Sequence, residues 1–150
     1  MPLPAASVDI VIETLLLKPG SVFYDLGSGD GRILLAAARL EPNATCVGVD
    51  KAIAAHLAAS IAITKAGKPK NIKLLRKNFF SVNLSDATHV FGFLYPGAIV
   101  KDLERKFQAE LMPGARVVMC DFKLPNTIPA QTIPISTDSK FGKTLFVYEY

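Results

Sequence analysis

At 150 residues, with 50% hydrophobic and 20% charged side chains, the chain predicts one domain with its own core and excludes a disordered polypeptide. Its net charge of +4 and mean hydropathy of +0.30 fit either a sheet buried on both faces or an apolar surface left open for self-association or a partner. No apolar run reaches the roughly 20 residues that span a bilayer, no secretory signal opens the sequence, and Cys46 and Cys120 sit in apolar runs. The expectation is a cytoplasmic protein with reduced core thiols and no membrane insertion.

Strand and helix patterns alternate, which predicts an α/β fold on a mainly parallel sheet with helices on both faces. Residues 6–17 carry the spacing of an amphipathic helix and are stopped by Pro19-Gly20. Residues 21–26 read as the first strand, 31–40 as a crossover helix and 45–49 as the second strand. A second crossover helix is predicted over 51–66, ended by Gly67 and Pro69. Strands follow at 72–75 and 88–94, a helix at 98–111 closed by Pro113-Gly114, and a strand at 115–122. The alternation then breaks. Residues 130–136 and 143–149 read as two strands about the polar turn Thr137-Asp138-Ser139-Lys140, a C-terminal antiparallel hairpin.

The stretch with the strongest chemistry is Asp25-Leu26-Gly27-Ser28-Gly29-Asp30-Gly31-Arg32, which joins the first strand to the first crossover helix. Glycines at alternate positions let the backbone adopt positive φ and admit a ligand against bare main chain. The following helix offers free N–H groups and a positive dipole end. A dinucleotide fingerprint would need a third glycine at residue 32, where Arg32 stands. The order acidic-x-Gly-x-Gly-x-Gly resembles motif I of the class I methyltransferases that use S-adenosylmethionine (SAM). That resemblance implies SAM as cofactor, held along Gly27, Ser28, Gly29 and Gly31. It also implies Asp25 near the cationic end of the methionine moiety. Asp30 reads equally as a cap for the helix.

In an open α/β sheet the ligand lies at the carboxyl ends of the strands. The second strand ends in Asp50, 23 residues after Gly27, followed by Lys51. A carboxylate there can accept from both hydroxyls of a ribose; it can also cap the next helix. After the third strand comes Asn78-Phe79-Phe80. At this place the class I enzymes hold adenine with a polar residue followed by an apolar one, which assigns Asn78 to the ring edge and Phe79 to its face. Phe80 reads as a core aromatic. Lys65, Lys68, Lys70, Lys73, Arg76 and Lys77 form a basic stretch, read as a solvated rim or as an attractor of acidic surfaces or nucleic acid.

The fourth strand ends Phe91-Gly92-Phe93-Leu94-Tyr95-Pro96-Gly97. It lacks the Asn/Asp-Pro-Pro-Tyr/Phe pattern for base or glutamine amides, and it ends in no carboxylate for a magnesium site. Cys120 follows no proline, which disfavours cytosine carbon methylation. His56 and His89 are isolated and read as structural, and no metal is expected. An aromatic, apolar end suits an amine that must shed its proton and hydration, and Tyr95 is the candidate residue to line or orient it. Together with the run from Val22 to Ala38, with Val47-Gly48-Val49-Asp50 and with Leu111-Met112-Pro113-Gly114, these segments resemble the small seven-β-strand protein-lysine methyltransferases. These include the archaeal broad-specificity enzymes and the mitochondrial relatives acting on the ATP synthase c subunit and the adenine nucleotide translocase. The resemblance implies methyl transfer to lysine ε-amino groups of a protein substrate, and the high mean hydropathy suggests an apolar or membrane-associated one. RNA or a small molecule is the alternative acceptor, and SAM binding without catalysis a further one. Family members carry a Pro-Thr-Pro-like segment that helps close the SAM site. Here residues 2–7 read Pro-Leu-Pro-Ala-Ala-Ser.

Overall fold

The computed structural model describes residues 2–94 and 99–150. Seven strands form one sheet: β1 (Val22–Leu26), β2 (Thr45–Val49), β3 (Ile72–Leu75), β4 (His89–Gly92), β5 (Arg116–Cys120), β6 (Gln131–Pro134) and β7 (Thr144–Glu149). Their order is β3-β2-β1-β4-β5-β7-β6. β1 to β5 are parallel, β7 runs antiparallel to β5, and β6 antiparallel to β7. The last two strands form the expected antiparallel pair, and the later strand lies inside, against β5. The order reverses between β1 and β4, so the carboxyl ends of those two strands border a crevice.

The helices are α1 (Ala5–Leu15), α2 (Arg32–Leu40), α3 (Ile53–Lys65) and α4 (Val100–Glu110), with a short 3₁₀ turn at Phe79–Ser81. Alternate strand residues face opposite sides, as the pleat requires. Phe23, Cys46, Phe91, Val118 and Val147 pack with Val11, Leu15, Leu34 and Ala37 of α1 and α2. Tyr24, Val47, Val90, Val117 and Tyr148 pack with Leu103 and Phe107 of α4. Helices thus cover both faces. α3 stands apart, because Ala59 is its one buried residue.

Two carboxylates tie distant loops to this frame. Asp121, with φ of 63°, accepts from the backbone N–H groups of Gly142, Lys143 and Thr144 at 2.6, 2.8 and 3.1 Å. The turn so formed accepts from the N-terminus, where Ser7 Oγ donates to the Gly142 carbonyl at 2.9 Å. On the other face Glu104 of α4 is 2% exposed. It accepts from the N–H and Nδ2 of Asn126 and from Thr127 Oγ1, the last at 2.6 Å. Burial raises the Glu104 pKa, but the hydrogen bonds from Thr127 and Asn126 outweigh it and hold the carboxyl below its ordinary value.

Removal of Glu104 strands those donors in the interior. Glu104→Ala is expected to cost about 2–3 kcal/mol in urea unfolding. Because the folded pKa is depressed, this contribution is present above the unfolded carboxyl value and fades as pH falls through the folded one. The variant's unfolding should therefore depend less on acid than that of the parent.

Candidate functional site

The turn after β1 is built on one carbonyl. Val49 at the end of β2 accepts from the N–H groups of Gly27 at 2.8 Å and Ser28 at 3.1 Å. The chain therefore leaves β1 by folding across the end of β2. Gly27 has φ of +73°, and a Cβ there would stand 2.6 Å from Leu94 Cδ2, so any other residue would be strained and would displace the Leu94 side chain. Gly31 serves a different end. It caps α2 with φ of 81°, and a Cβ on it would press on Ala59 of α3 at 3.3 Å.

Two adjoining cavities lie at these strand ends, of about 230 and 530 Å³. The smaller is bordered by Asp25, Ser28, Asp30, Phe91 and the N-terminal Pro2 and Leu3. The larger is bordered by Asp50, Lys51, Asn78, Phe79 and Phe80. Gly27, Gly29, Ala55 and Phe93 line both. The structure thus gathers eight of the nine residues expected to bind the cofactor. Gly31 is the exception: it borders neither cavity, and its missing Cβ lets α3 approach α2. Tyr95 lies outside the described residues; its sequence neighbour Leu94 and the later Ile99 both line the larger cavity.

Asp25 sets the electrostatics. It is 2% exposed, and its Oδ2 has no hydrogen-bond partner. Burial first, then the negative fields of Asp50 and Asp30, push its pKa up to about 8. Asp30 is paired instead: the Arg32 guanidinium grips both its oxygens, the shortest contact at 2.6 Å. The hydrogen bond from Arg32 is the main cause that lowers the Asp30 pKa. Asp30 therefore braces Arg32 at the start of α2, and Arg32 Nη1 donates to the Leu3 carbonyl at 2.6 Å. The short N-terminal strap is held as a wall of the smaller cavity, clasped by Arg32 on one side and the Gly142 turn on the other.

Asp50 is held by two backbone donors, and the first turn of α3 takes no side-chain cap from it. Oδ1 accepts from the Ala52 N–H at 2.9 Å, ahead of α3, and Oδ2 accepts from the Gly29 N–H at 3.0 Å. Each oxygen keeps a second lone pair, and the residue borders the larger cavity. Asn78 departs from expectation. Its Oδ1 accepts from Phe80 N–H at 3.0 Å and caps the 3₁₀ turn, which leaves the amide NH₂ as its free donor. Phe80 also departs: it is 39% exposed rather than in the core, with its ring centroid 4.7 Å from that of Phe79, and it borders the larger cavity. Leu3, Ile99 and Phe141 complete the walls. Their sequence separation from the glycine loop left no local signal for them. The arrangement suits an elongated ligand with a cation at one end and hydrogen-bonding groups at the other, opening on an aromatic, apolar mouth.

Comparison with known proteins agrees with this geometry. Residues 25–131 match the family model described as the ANTKMT methyltransferase domain. A protein-lysine N-methyltransferase of Saccharolobus islandicus is 33% identical, over 99% of this chain and 91% of that protein. The adenine nucleotide translocase lysine N-methyltransferase of Mus musculus is 37% identical over 89% of this chain, which spans 57% of that relative's length. Among solved structures, an RNA methyltransferase from Salinibacter ruber in complex with S-adenosyl-L-homocysteine superposes with a TM-score of 0.88. It is 30% identical and covers 99% of this chain and 93% of its own. The fold is that of the class I methyltransferases, the cofactor is SAM, and the chain belongs to the ANTKMT methyltransferase domain family.

Proposed function

We propose that this methyltransferase acts on lysine ε-amino groups of proteins. The observation that carries the reading is the larger cavity's apolar mouth, lined by Phe80, Phe93, Leu94, Ile99 and Phe141. Among the described residues bordering it, Asp50 and Lys51 are the only ionisable ones, so the mouth favours a neutral amine by desolvation rather than through a strong base. The lysine N-methyltransferase activities of the Saccharolobus and mouse relatives support the same acceptor. The substrate is taken to be apolar or membrane-associated, in keeping with the mean hydropathy of +0.30 and with the translocase named for the mouse relative.

The residues present fit SAM. The unpartnered Oδ2 of Asp25 at the smaller cavity suits a cationic group, and at Gly29, which lines both cavities, no side chain stands within 4 Å of where a Cβ would be, so a ligand can lie against the main chain. When bound, SAM supplies an electrophilic methyl group on a sulfonium. Asp25 would hold the cationic end, Asp50 the ribose hydroxyls, the Asn78 amide the ring edge and Phe79 the ring face, with Lys51 beside Asp50. The Arg32-clasped strap would wall the methionine end, and the aromatic side chains would line the other. Tyr95 is assigned to orienting the incoming amine.

A second reading, methylation of RNA, draws on the named activity of the Salinibacter structure and on the basic stretch after α3. One assay separates the two. Labelled methyl groups are transferred from SAM into a heat-treated cell extract, which is then split between protease and nuclease. Label released by protease and recovered as methyl-lysine supports the lysine reading; label released by nuclease overturns it.

Substitutions at three positions test the site. Asp50→Ala should weaken SAM binding by about 1–3 kcal/mol, with Asp50→Asn intermediate, as read by titration calorimetry; unchanged affinity removes Asp50 from the ribose role. A cation is held by the ionised form of Asp25, whose pKa is near 8. SAM affinity should therefore rise with pH up to about that value, and binding at neutral pH should release a proton. Calorimetry in buffers of different ionisation enthalpy measures the release, and Asp25→Asn should abolish it. Tyr95→Phe should lower kcat roughly tenfold to a hundredfold while the SAM dissociation constant stays put.

A further inference from the structure

The charge of this chain is segregated. Seven of its seventeen Lys and Arg residues and none of its thirteen Asp and Glu residues fall within 51–85. All seven are exposed, and none takes part in an ion pair among the described residues. The rest of the chain is net acidic. The same segment holds α3, the helix with one buried residue. Ile53, Leu57 and Ile61 of α3 are 62%, 56% and 56% exposed. Spaced four apart, they form one stripe about 12 Å long. Ala54 and Ala58 are exposed between them, and beyond the stripe lies a shallow groove where Ala58, Ala62, Val8 and Leu35 meet Asp9 and the paired Asp30 and Arg32. Lys65, Lys68 and Lys70 stand at its C-terminal end.

We propose that this face of α3, with its basic flank, docks on an anionic lipid bilayer. A stripe of large aliphatic side chains beside lysines combines the two attractions of an interfacial helix: apolar area for the acyl boundary and positive charge for the headgroups. A second copy of the chain is a poor occupant, because two such faces would bring like charges together. Nucleic acid would meet the lysines but leave Ile53, Leu57 and Ile61 against phosphates, with no aromatic ring on the stripe to stack on bases. The face is contiguous with the site, since Ala55 and Ala58 of α3 also border the cofactor cavity. Docking would therefore hold the cavity at the bilayer surface. The benefit to a membrane-associated lysine substrate rests on the proposed function; the docking itself does not.

Sedimentation with vesicles reads the docking without any methyl transfer. The protein should bind phosphatidylcholine vesicles containing about one third phosphatidylglycerol far better than pure phosphatidylcholine vesicles. Combined Ile53→Ser, Leu57→Ser and Ile61→Ser should lower partitioning about tenfold or more at fixed salt. Melting temperature and SAM affinity should be unchanged, because the three side chains are exposed. Lys65→Glu, Lys68→Glu and Lys70→Glu should lower binding and flatten its salt dependence. Binding to neither vesicle, or wild-type binding by the serine variant, overturns the proposal. Tight, salt-sensitive binding of polyuridylic acid that outcompetes vesicles and ignores the serine substitutions also overturns it and assigns the face to RNA. Failure of docking leaves the lysine reading intact, and failure of the label assay leaves docking intact.

Discussion

The site depends on one carbonyl. By accepting from both Gly27 and Ser28, Val49 fixes where β1 stops and where the glycine turn crosses β2. Asp50, the next residue, then meets the Gly29 N–H. Two strand ends are joined without any side chain from the turn itself. The reversal of strand order places β4 on the other flank, and Phe91, Phe93 and Leu94 close the crevice from there. The topology supplies the crevice, and the Val49 carbonyl sets its floor.

That floor holds a carboxyl group at a cost. Asp25 is buried, lacks a partner for Oδ2 and faces two other acidic residues. Its pKa near 8 keeps it protonated near neutrality. The sign of the linkage is opposite to that of Glu104: Asp25 binds its proton more tightly in the folded chain, so stability falls as pH rises from the unfolded carboxyl range toward about 8. A carboxylate that is costly to bury when ionised is relieved by a cation, so the cost and the affinity have one origin.

The parts of this design that lie close together in sequence were legible. Acidic residues and glycines at strand ends marked Asp25, Gly27, Gly29 and Asp50, because strand, turn and helix follow one another within a few residues. The α/β alternation placed every strand to within a few positions. What escaped was set by distant partners. Nothing local ties residues 2–7 to Arg32 and Gly142, or Glu104 to Asn126 and Thr127. Gly31 shares the local motif of the ligand loop, yet it borders neither cavity, and the approach of Ala59 across the α2–α3 contact is a second demand on it that no local pattern announces. Phe80 looked like core by residue type. Asn78 turned out to spend its oxygen on the Phe80 N–H, which leaves the next ring outward.

The two thiols acquire a meaning from the chemistry beside them. A protein that handles a methyl sulfonium keeps an alkylating agent next to its own nucleophiles, and a thiolate is the softest of these. Cys46 and Cys120 are both fully buried. Burial, and then the charge of Asp25, pushes the Cys46 thiol up to about 11. Burial raises Cys120 further still, with Asp121 adding to it. Neither borders the cavities. The pleat that sends these side chains into the α1–α2 core thus also guards the protein against methylating itself.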